Sequence, residues 1–508
     1  MNKIQQDVRV AIVGSGFAGL GMAIRLREAG IDDFVVLERG DDVGGTWRDN
    51  SYPGCACDVP SHLYSFSFAP NPEWTSTFSP QAEIWEYLRR CAQRYGVMPH
   101  IRFGHELLDA SWDDDDQRWR LQTSRGDLTA QALVLGTGAL SAPAIPDLPG
   151  LERFEGTTFH SATWDHGHDL DGERVAVIGT GASAIQFVPQ IQPRVGCLHV
   201  FQRTAPWIMP RPDRPLARFE RRLYRALPAA QLLIRAGIYW ARESFVLGFR
   251  HPRAMRLAQR FALRHLHRQV PDPELRRKLT PSYRMGCKRV LLSNDYLPAL
   301  ARKNVEVVTD AIREVRPRSI VTADGAERDV DTIVFGTGFH VTDMPAAERV
   351  RGRDGRSLAE VWDGSPQAHL GAMVAGCPNL FFLVGPNTGL GHNSIVFMIE
   401  SQCNYVLDAL RLMDARGAAE VEVRPEAQAA YNARIQEQMR GTVWTSGGCA
   451  SWYLDAHGRN TTLWPTFTWP FRERTRRLDP GALRAARGAG RARGGRGVTA
   501  SDVSPLLH

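Results

Sequence analysis

Twice in this chain of 508 residues an apolar run ends in closely spaced glycines, and 24 positions past the first glycine stands a charged residue, of opposite sign in the two copies. The first copy, VRVAIVGSGFAGLGMAIRLREAG, carries Gly14, Ser15, Gly16 and Gly19 and leads to Glu38. The second, ERVAVIGTGASAIQFVPQI, carries Gly179, Thr180, Gly181, Ala182, Ser183 and Ala184 and leads to Arg203. Glycines at these spacings let a pyrophosphate approach backbone amides at the positive end of a helix, where side chains would block it. A carboxylate past the second strand accepts hydrogen bonds from ribose hydroxyls, whereas a guanidinium suits a ribose phosphate. The contrast predicts FAD at the first site and NADPH at the second. A single fingerprint of this kind is often only a tight turn; two of them, each flanked by strand and helix patterns, point to binding.

Such sites need strand, turn and helix in series, so the predicted fold class is α/β with two Rossmann-like dinucleotide-binding domains. Two further apolar strands end in matching turns, ALVLGTGAL with Gly136 and Gly138 and TIVFGTGF with Gly336 and Gly338. These paired endings suggest crossovers between domains, with the NADP domain inserted in the FAD domain. The stretch NLFFLVGPNTGLGHNSIVFMIESQ has the strand, loop and helix pattern that completes the first domain. A helix starting near Asn393 or Ser394 would aim its N-terminus at the flavin pyrimidine ring and favour the anionic reduced form by ~0.3–2 kcal/mol, or else be an ordinary capped core helix. The predicted boundaries are 7–148 and 343–477 for the FAD domain, 149–342 for the NADP domain with a helical insertion at 212–280, and 478–508 for a disordered basic tail. Within the insertion, helical spacing puts Leu232, Leu233, Ala236, Tyr239 and Trp240 on one face and Arg235 and Arg242 outside it. That apolar face is expected to pack on the protein's own body, as a wall for a substrate cavity, rather than on a membrane surface.

At 43% hydrophobic and 23% charged, the chain can bury two or three ordinary cores. No signal peptide precedes Val8 and no apolar stretch approaches the ~20 residues that span a bilayer, so a cytoplasmic location is expected. Eight cysteines show no framework spacing and are expected to be reduced thiols; Cys55 and Cys57 lack the CxxC partner of a zinc site, and no metal is predicted. The net charge of +7 invites a nucleic-acid partner, but nine arginines between 471 and 508, against three acids, account for most of it. A solvated tail is the expectation, with no nucleic-acid binding.

Just before the second fingerprint, FEGTTFHSATWD places Phe154, Gly156, His160, Trp164 and Asp165 in the pattern FxGxxxHxxxW followed by Pro or Asp. Further blocks are GGTWRDNSYPGCACDVPSHLYSFSF, MGCKR at 285–289, GPNTGLGHNS and GGCASWYLDAHGRN. From about Val8 to Arg477 the chain resembles the type I Baeyer-Villiger monooxygenases, a class B flavin-dependent monooxygenase family. The resemblance implies that NADPH reduces FAD, that dioxygen gives a peroxyflavin, and that a ketone becomes an ester or lactone. It implies Arg289 as the fixed positive charge and Asp58 as the partner that orients it. It further implies Lys288 beside Arg203 and Thr204 at the NADPH phosphate, and Thr46, Trp47 and Tyr64 at the flavin. Leu107 would lie on the strand whose backbone meets the adenine, and Trp452 would close on the nicotinamide nucleotide. His160 is expected to be a structural histidine at the hinge rather than a base. A flavin monooxygenase oxidising sulfur or nitrogen, a disulfide reductase, and a nucleotide-holding redox sensor remain as alternatives.

Overall fold

The computed structural model describes residues 6–251, 253–449 and 451–487. The apolar run before the first glycine turn is strand β1 (Gln6–Val13), followed by helix α1 (Phe17–Glu28) and strand β2 (Phe34–Glu38). Helices α2 (Thr46–Asp49) and α3 (Gln81–Arg94) lead to β3 (Ile101–Phe103) and to a meander of β4 (Leu107–Asp113), β5 (Arg118–Thr123) and β6 (Gly126–Leu135). The chain then enters a second sheet through β7 (Thr157–His160), β8 (Arg174–Ile178), helix α4 (Ala184–Ile191) and β9 (Cys197–Phe201). Strand β10 (Ile208–Met209) opens a helical excursion made of α5 (Arg218–Ala226), α6 (Pro228–Glu243), α7 (Phe245–Arg250), α8 (Met255–Gln269) and α9 (Pro273–Lys278), closed by β11 (Leu291–Leu292). Helix α10 (Tyr296–Leu300), β12 (Val305–Val308), a small meander of β13 (Ile312–Arg316), β14 (Ser319–Thr322) and β15 (Glu327–Asp329), and β16 (Thr332–Phe335) finish that part. Strand β17 (Val350–Arg351), helix α11 (Leu358–Trp362), β18 (Leu380–Phe382) and the long helix α12 (Ile395–Arg416) follow, then β19 (Ala418–Val423) and β20 (Leu483–Arg487).

The first sheet runs β17-β4-β5-β6-β1-β2-β3, with β18 also pairing in parallel with β6. The second runs β12-β9-β8-β16-β7, every pair parallel. Because β17 and β18 are sewn to a sheet otherwise built before residue 136, everything from β7 to β16 is an insertion into it. Alternation of side chains along β1 decides where its apolar residues go: Val10 and Ile12 pack beneath α1 and α12, while Ala11 and Val13 join the opposite core with Trp119 and Phe382. Both faces are covered, as parallel sheets require.

The two glycine turns are built alike. Gly14 has φ +95° and a Cβ there would stand 2.7 Å from the Gly136 carbonyl oxygen; Gly179 has φ +109° and would meet the Gly336 oxygen at 2.4 Å. Each fingerprint thus presses on the glycine that ends the neighbouring strand, which is why the sequence pairs them. The crossovers behind those strands run side by side: Ala144 N–H donates to Gly338 O (2.9 Å) and His340 N–H to Ala142 O (2.9 Å).

Three expectations are corrected. Helix α6 is rotated from its predicted orientation: Leu232, Leu233, Ala236 and Trp240 are exposed, and Gln231, Arg235, Tyr239 and Glu243, spaced four apart, face inward, of which only Tyr239 belonged to the expected packing face. The reason is a set of distant partners: Gln231 donates to Asn71 O (2.7 Å), Arg235 to His62 O (2.7 Å) and Ser65 O (3.0 Å), and Glu243 accepts from Thr468 N–H (2.8 Å). Four satisfied polar side chains on one stripe outweigh apolar periodicity. The predicted tail at 478–508 begins too early, because β20 pairs antiparallel with β19 and Leu483 is buried; the arginines beyond Arg487 lie outside the described residues. The cysteines are not all reduced: Cys287 and Cys449 form a disulfide, and six others are free. A separation of 162 residues leaves no pattern to read.

Candidate active site

At the first fingerprint, Glu38 is 4% exposed and holds four protein donors. Its Oε2 accepts from the Ser15 amide (2.9 Å) and hydroxyl (2.7 Å), and its Oε1 from the Gly40 amide (2.8 Å) and Arg48 (2.9 Å). Burial pushes its carboxyl up, but Ser15, Gly40 and Arg48 together hold it below the ordinary glutamate range. A carboxylate has about four lone-pair positions, so a ribose hydroxyl replaces one donor there, and the Ser15 hydroxyl and the Arg48 side chain are those free to turn. Arg48 was not singled out in the sequence; an arginine ten residues past a glutamate carries no signal until the loop folds back. No side chain caps α1 at Gly16, which leaves that N-terminus to an anion, and a Cβ at Gly19 would overlap the Gly14 oxygen at 1.8 Å. The cradle therefore fits the pyrophosphate of a dinucleotide. Thr46 begins α2, and the neighbouring Trp47 indole donates to the Tyr64 hydroxyl (3.1 Å). Leu107 starts β4, buried, with its carbonyl accepting from Arg349 (2.6 Å).

The second fingerprint is more open. Gly181 and Ser183 precede α4, which starts at Ala184 and likewise has no side-chain cap. Thr180 donates to the Thr204 carbonyl (3.3 Å), tying the turn to the end of β9. Arg203 is exposed, and among the described residues neither Arg203 nor Lys288 has a carboxylate within salt-bridge distance. Burial and the Arg203 charge depress the Lys288 amine below the lysine range, so the two cations are neighbours with no counterion, as a phosphate site requires.

Between these lies Asp58, in a loop that reaches over α4: Gln186 donates to Ala56 O (2.9 Å) and accepts from the Tyr52 hydroxyl (3.0 Å). Arg289 meets Asp58 side-on, Nε to Oδ2 and Nη2 to Oδ1, both 2.7 Å. Nη1 finds only the Leu390 carbonyl at 3.5 Å. Burial raises the Asp58 carboxyl, but Arg289, by charge and hydrogen bond, and Arg242 from α6 hold it below the ordinary aspartate range; the Asp58 charge in turn raises the guanidinium. Both groups stay ionised, and one fork nitrogen of a fixed cation remains available. Each side chain keeps just over a quarter of its surface accessible, 29% for Arg289 and 27% for Asp58. Arg242 is a further residue missed in the sequence, hidden by the rotated orientation of its helix.

Helix α12 is capped by Ser394, whose hydroxyl accepts from the Val396 amide (3.3 Å). Asn393 is buried and donates to Glu243 (2.6 Å), as the inward stripe of α6 demands. The disulfide joins the loop carrying Lys288 and Arg289 to the loop carrying Trp452, which is 44% exposed and packs against Tyr453 at 4.4 Å between ring centroids. His160, 2% exposed, accepts the Ala162 amide through Nδ1 (3.1 Å) and packs edge-on against Phe339; burial depresses its pKa. It sits at the crossover as a structural group. Cys55 and Cys57 are free and buried, with burial pushing the Cys55 thiol up to about 11 and Cys57 higher still. Raised pKa values oppose the thiolate chemistry of a disulfide reductase.

Residues 11–213 match the family described as pyridine nucleotide-disulphide oxidoreductase. A protein of Streptomyces coelicolor called Baeyer-Villiger monooxygenase is 56% identical over 94% of this chain and 92% of its own length. One of the same name from Pseudomonas aeruginosa is 54% identical over 93% and 90%. Among solved structures, oxidized steroid monooxygenase bound to NADP has a TM-score of 0.85 at 31% identity, covering 95% of this chain and all of that one. A complex of OTEMO with FAD and NADP scores 0.85 at 27% identity, with the same coverage.

Proposed function

The chain belongs to the Baeyer-Villiger monooxygenases, and from that premise we propose that Arg289, held by Asp58, is the cation on which its oxygenation depends. The enzyme is a flavin-dependent monooxygenase that uses FAD and NADPH. A ketone, dioxygen, NADPH and a proton give an ester or lactone, NADP+ and water, one oxygen atom entering the product and the other the water. FAD, when bound, supplies the two-electron chemistry that activates dioxygen, and NADPH supplies the hydride. Gly14, Ser15, Gly16, Gly19 and Glu38 hold the FAD pyrophosphate and ribose, with Thr46, Trp47, Tyr64 and Asn393 around its ring and the Leu107 backbone at its adenine. Gly179, Thr180, Gly181, Ala182, Ser183 and Ala184 take the NADPH pyrophosphate, Arg203, Thr204 and Lys288 its ribose phosphate, and Trp452 closes over it. The FAD-binding part comprises 7–148 and 343–487, its second segment running through β20, and the NADP-binding part 149–342. The enzyme works in the cytoplasm; among the described residues no helix is long and apolar enough to cross a membrane.

The observation that carries the reading is the side-on ion pair with Nη1 left over. Negative charge develops on oxygen as a ketone carbonyl is attacked, and a preorganised cation in a water-poor site lowers that barrier most. Asp58 fixes the guanidinium plane and keeps it from rotating toward other acceptors. Incubation of the FAD-loaded enzyme with NADPH and a panel of cyclic, linear and aryl ketones, alongside a thioether, tests this. Esters or lactones formed in step with NADPH consumption are expected; sulfoxide as the sole product, or NADPH oxidation indifferent to every ketone, would overturn it.

A further inference from the structure

Helices α5 to α8 carry an apolar and cationic surface that nothing in the described chain covers. Of the 17 large hydrophobic side chains exposed in the molecule's described residues, 11 lie between Phe219 and Phe261, including Phe219 at 71%, Leu233 at 74%, Trp240 at 60% and Leu257 at 75%. Between Arg218 and Gln269 stand twelve arginines and two glutamates. Neither glutamate offers a free charge at the surface: Glu220 is paired with Arg214 (2.7 Å) and Glu243 lies buried against Asn393 and Thr468. Nine of those arginines are exposed, and among the described residues only Arg225 has an acidic partner, Glu73. The net charge of +7 thus conceals a polarised molecule, since the residues outside this stretch and the basic C-terminus are net negative.

The four helices are consecutive and pack in series: α5 lies on α6 and α6 on α7, and the Met255 side chain at the start of α8 lies beside Gly248 of α7 and, with the Phe249 ring, beside Gly286. On α8, Leu257 and Phe261 are one turn apart, with Arg256, Arg260 and Arg264 repeating alongside. Leucine, phenylalanine and tryptophan outward, interleaved with unpaired arginine and without acid, is the composition of a helix face that lies in the boundary of an anionic bilayer. There the apolar groups leave water and the guanidinium groups meet lipid phosphates. A second copy of the chain would set arginine against arginine. A nucleic acid would satisfy the cations and leave Leu233, Trp240 and Leu257 in water.

We propose that α5–α8 seat the enzyme on the surface of an anionic lipid bilayer. Helix α6 then faces lipid with Leu233 and Trp240 while its inward side brings Arg242 within electrostatic reach of Asp58. Apolar ketones dissolved in the bilayer are delivered beside the site rather than through bulk water. This surface stands on exposure and charge, independently of the reaction assigned above.

The test is co-sedimentation of the FAD-loaded full-length enzyme with vesicles of phosphatidylglycerol mixed equally with phosphatidylcholine, or of phosphatidylcholine alone. Binding to the anionic vesicles at least about tenfold stronger than to the neutral ones, and weakened by added salt, is expected. Leu233→Glu with Leu257→Glu, and separately Arg256→Glu with Arg260→Glu, should each lower that binding at least about tenfold while flavin content and turnover of a water-soluble ketone stay unchanged. A full-length chain with Arg491, Arg493 and Arg496 changed to Gln should bind as the original does. Failure to sediment with anionic vesicles, sedimentation indifferent to the helix substitutions, or loss of it in the tail variant would overturn the proposal. So would sedimentation velocity showing a dimer that the helix substitutions dissolve.

Discussion

The two glycine turns have nearly the same backbone and opposite surroundings. In the first, the charged residue is almost fully buried, saturated by four donors, and paired with Arg48, itself 11% exposed at its side chain. In the second, Arg203 is exposed, Lys288 is half-buried, and neither has an acidic partner among the described residues. A preorganised, enclosed acid suits a nucleotide that stays bound through many turnovers, because opening it exposes unpaired buried groups. Open, uncompensated cations suit one that arrives and leaves, since their attraction is felt before contact and screened by water after release. On the proposed assignment the same fold serves a prosthetic group and a consumed cosubstrate, and the difference resides in burial rather than in the glycines.

The largest effect should come from the enclosed acid. Glu38→Ala leaves the Ser15 amide and Arg48 without their acceptor in a buried place, which costs about 1–3 kcal/mol per unsatisfied group, so the purified variant should be colourless and without activity. Visible flavin retained at the normal ratio would show the first site to be as tolerant as the second. Arg203→Ala should keep its flavin and lose about ten- to a hundredfold of its preference for NADPH over NADH in kcat/KM, the range of a charged hydrogen bond at ~1.5–3 kcal/mol; an unchanged ratio would place the phosphate elsewhere. The smallest effect is a pH trend. Because burial and Arg203 depress Lys288, its proton leaves before the ordinary lysine range as pH rises, so the KM for NADPH should climb a few-fold on the alkaline side while kcat holds. Lys288→Arg should remove that trend, and a KM flat in pH for the unaltered enzyme would remove Lys288 from the site.

Both turns, the sign contrast of Glu38 and Arg203, and the return of the chain at β18 to the first sheet were legible because each is set by local pattern: glycines where a Cβ would come within 3 Å of a carbonyl oxygen, as at Gly14 and Gly179, and an apolar run of strand length. The Asp58–Arg289 pair spans 231 residues and was legible only through motif resemblance. Helix α6 was misread for a physical reason. Periodicity finds a face but not which way it points, and here the inward stripe is chosen by acceptors at His62, Ser65 and Asn71 that lie far off in sequence. Arg242 was lost with it. The Cys287–Cys449 bridge and the β19–β20 hairpin are likewise contacts between distant segments with no spacing signature.

Rapid mixing of Arg289→Ala with NADPH, then with dioxygen and a ketone, tests the central claim most directly. The account predicts that flavin bleaches at close to its usual rate, because hydride transfer does not depend on this cation, while ester formation falls by at least about 10²–10³-fold, the loss typical of removing a preorganised charge donor. Ester formed at the unaltered rate in that variant would contradict it.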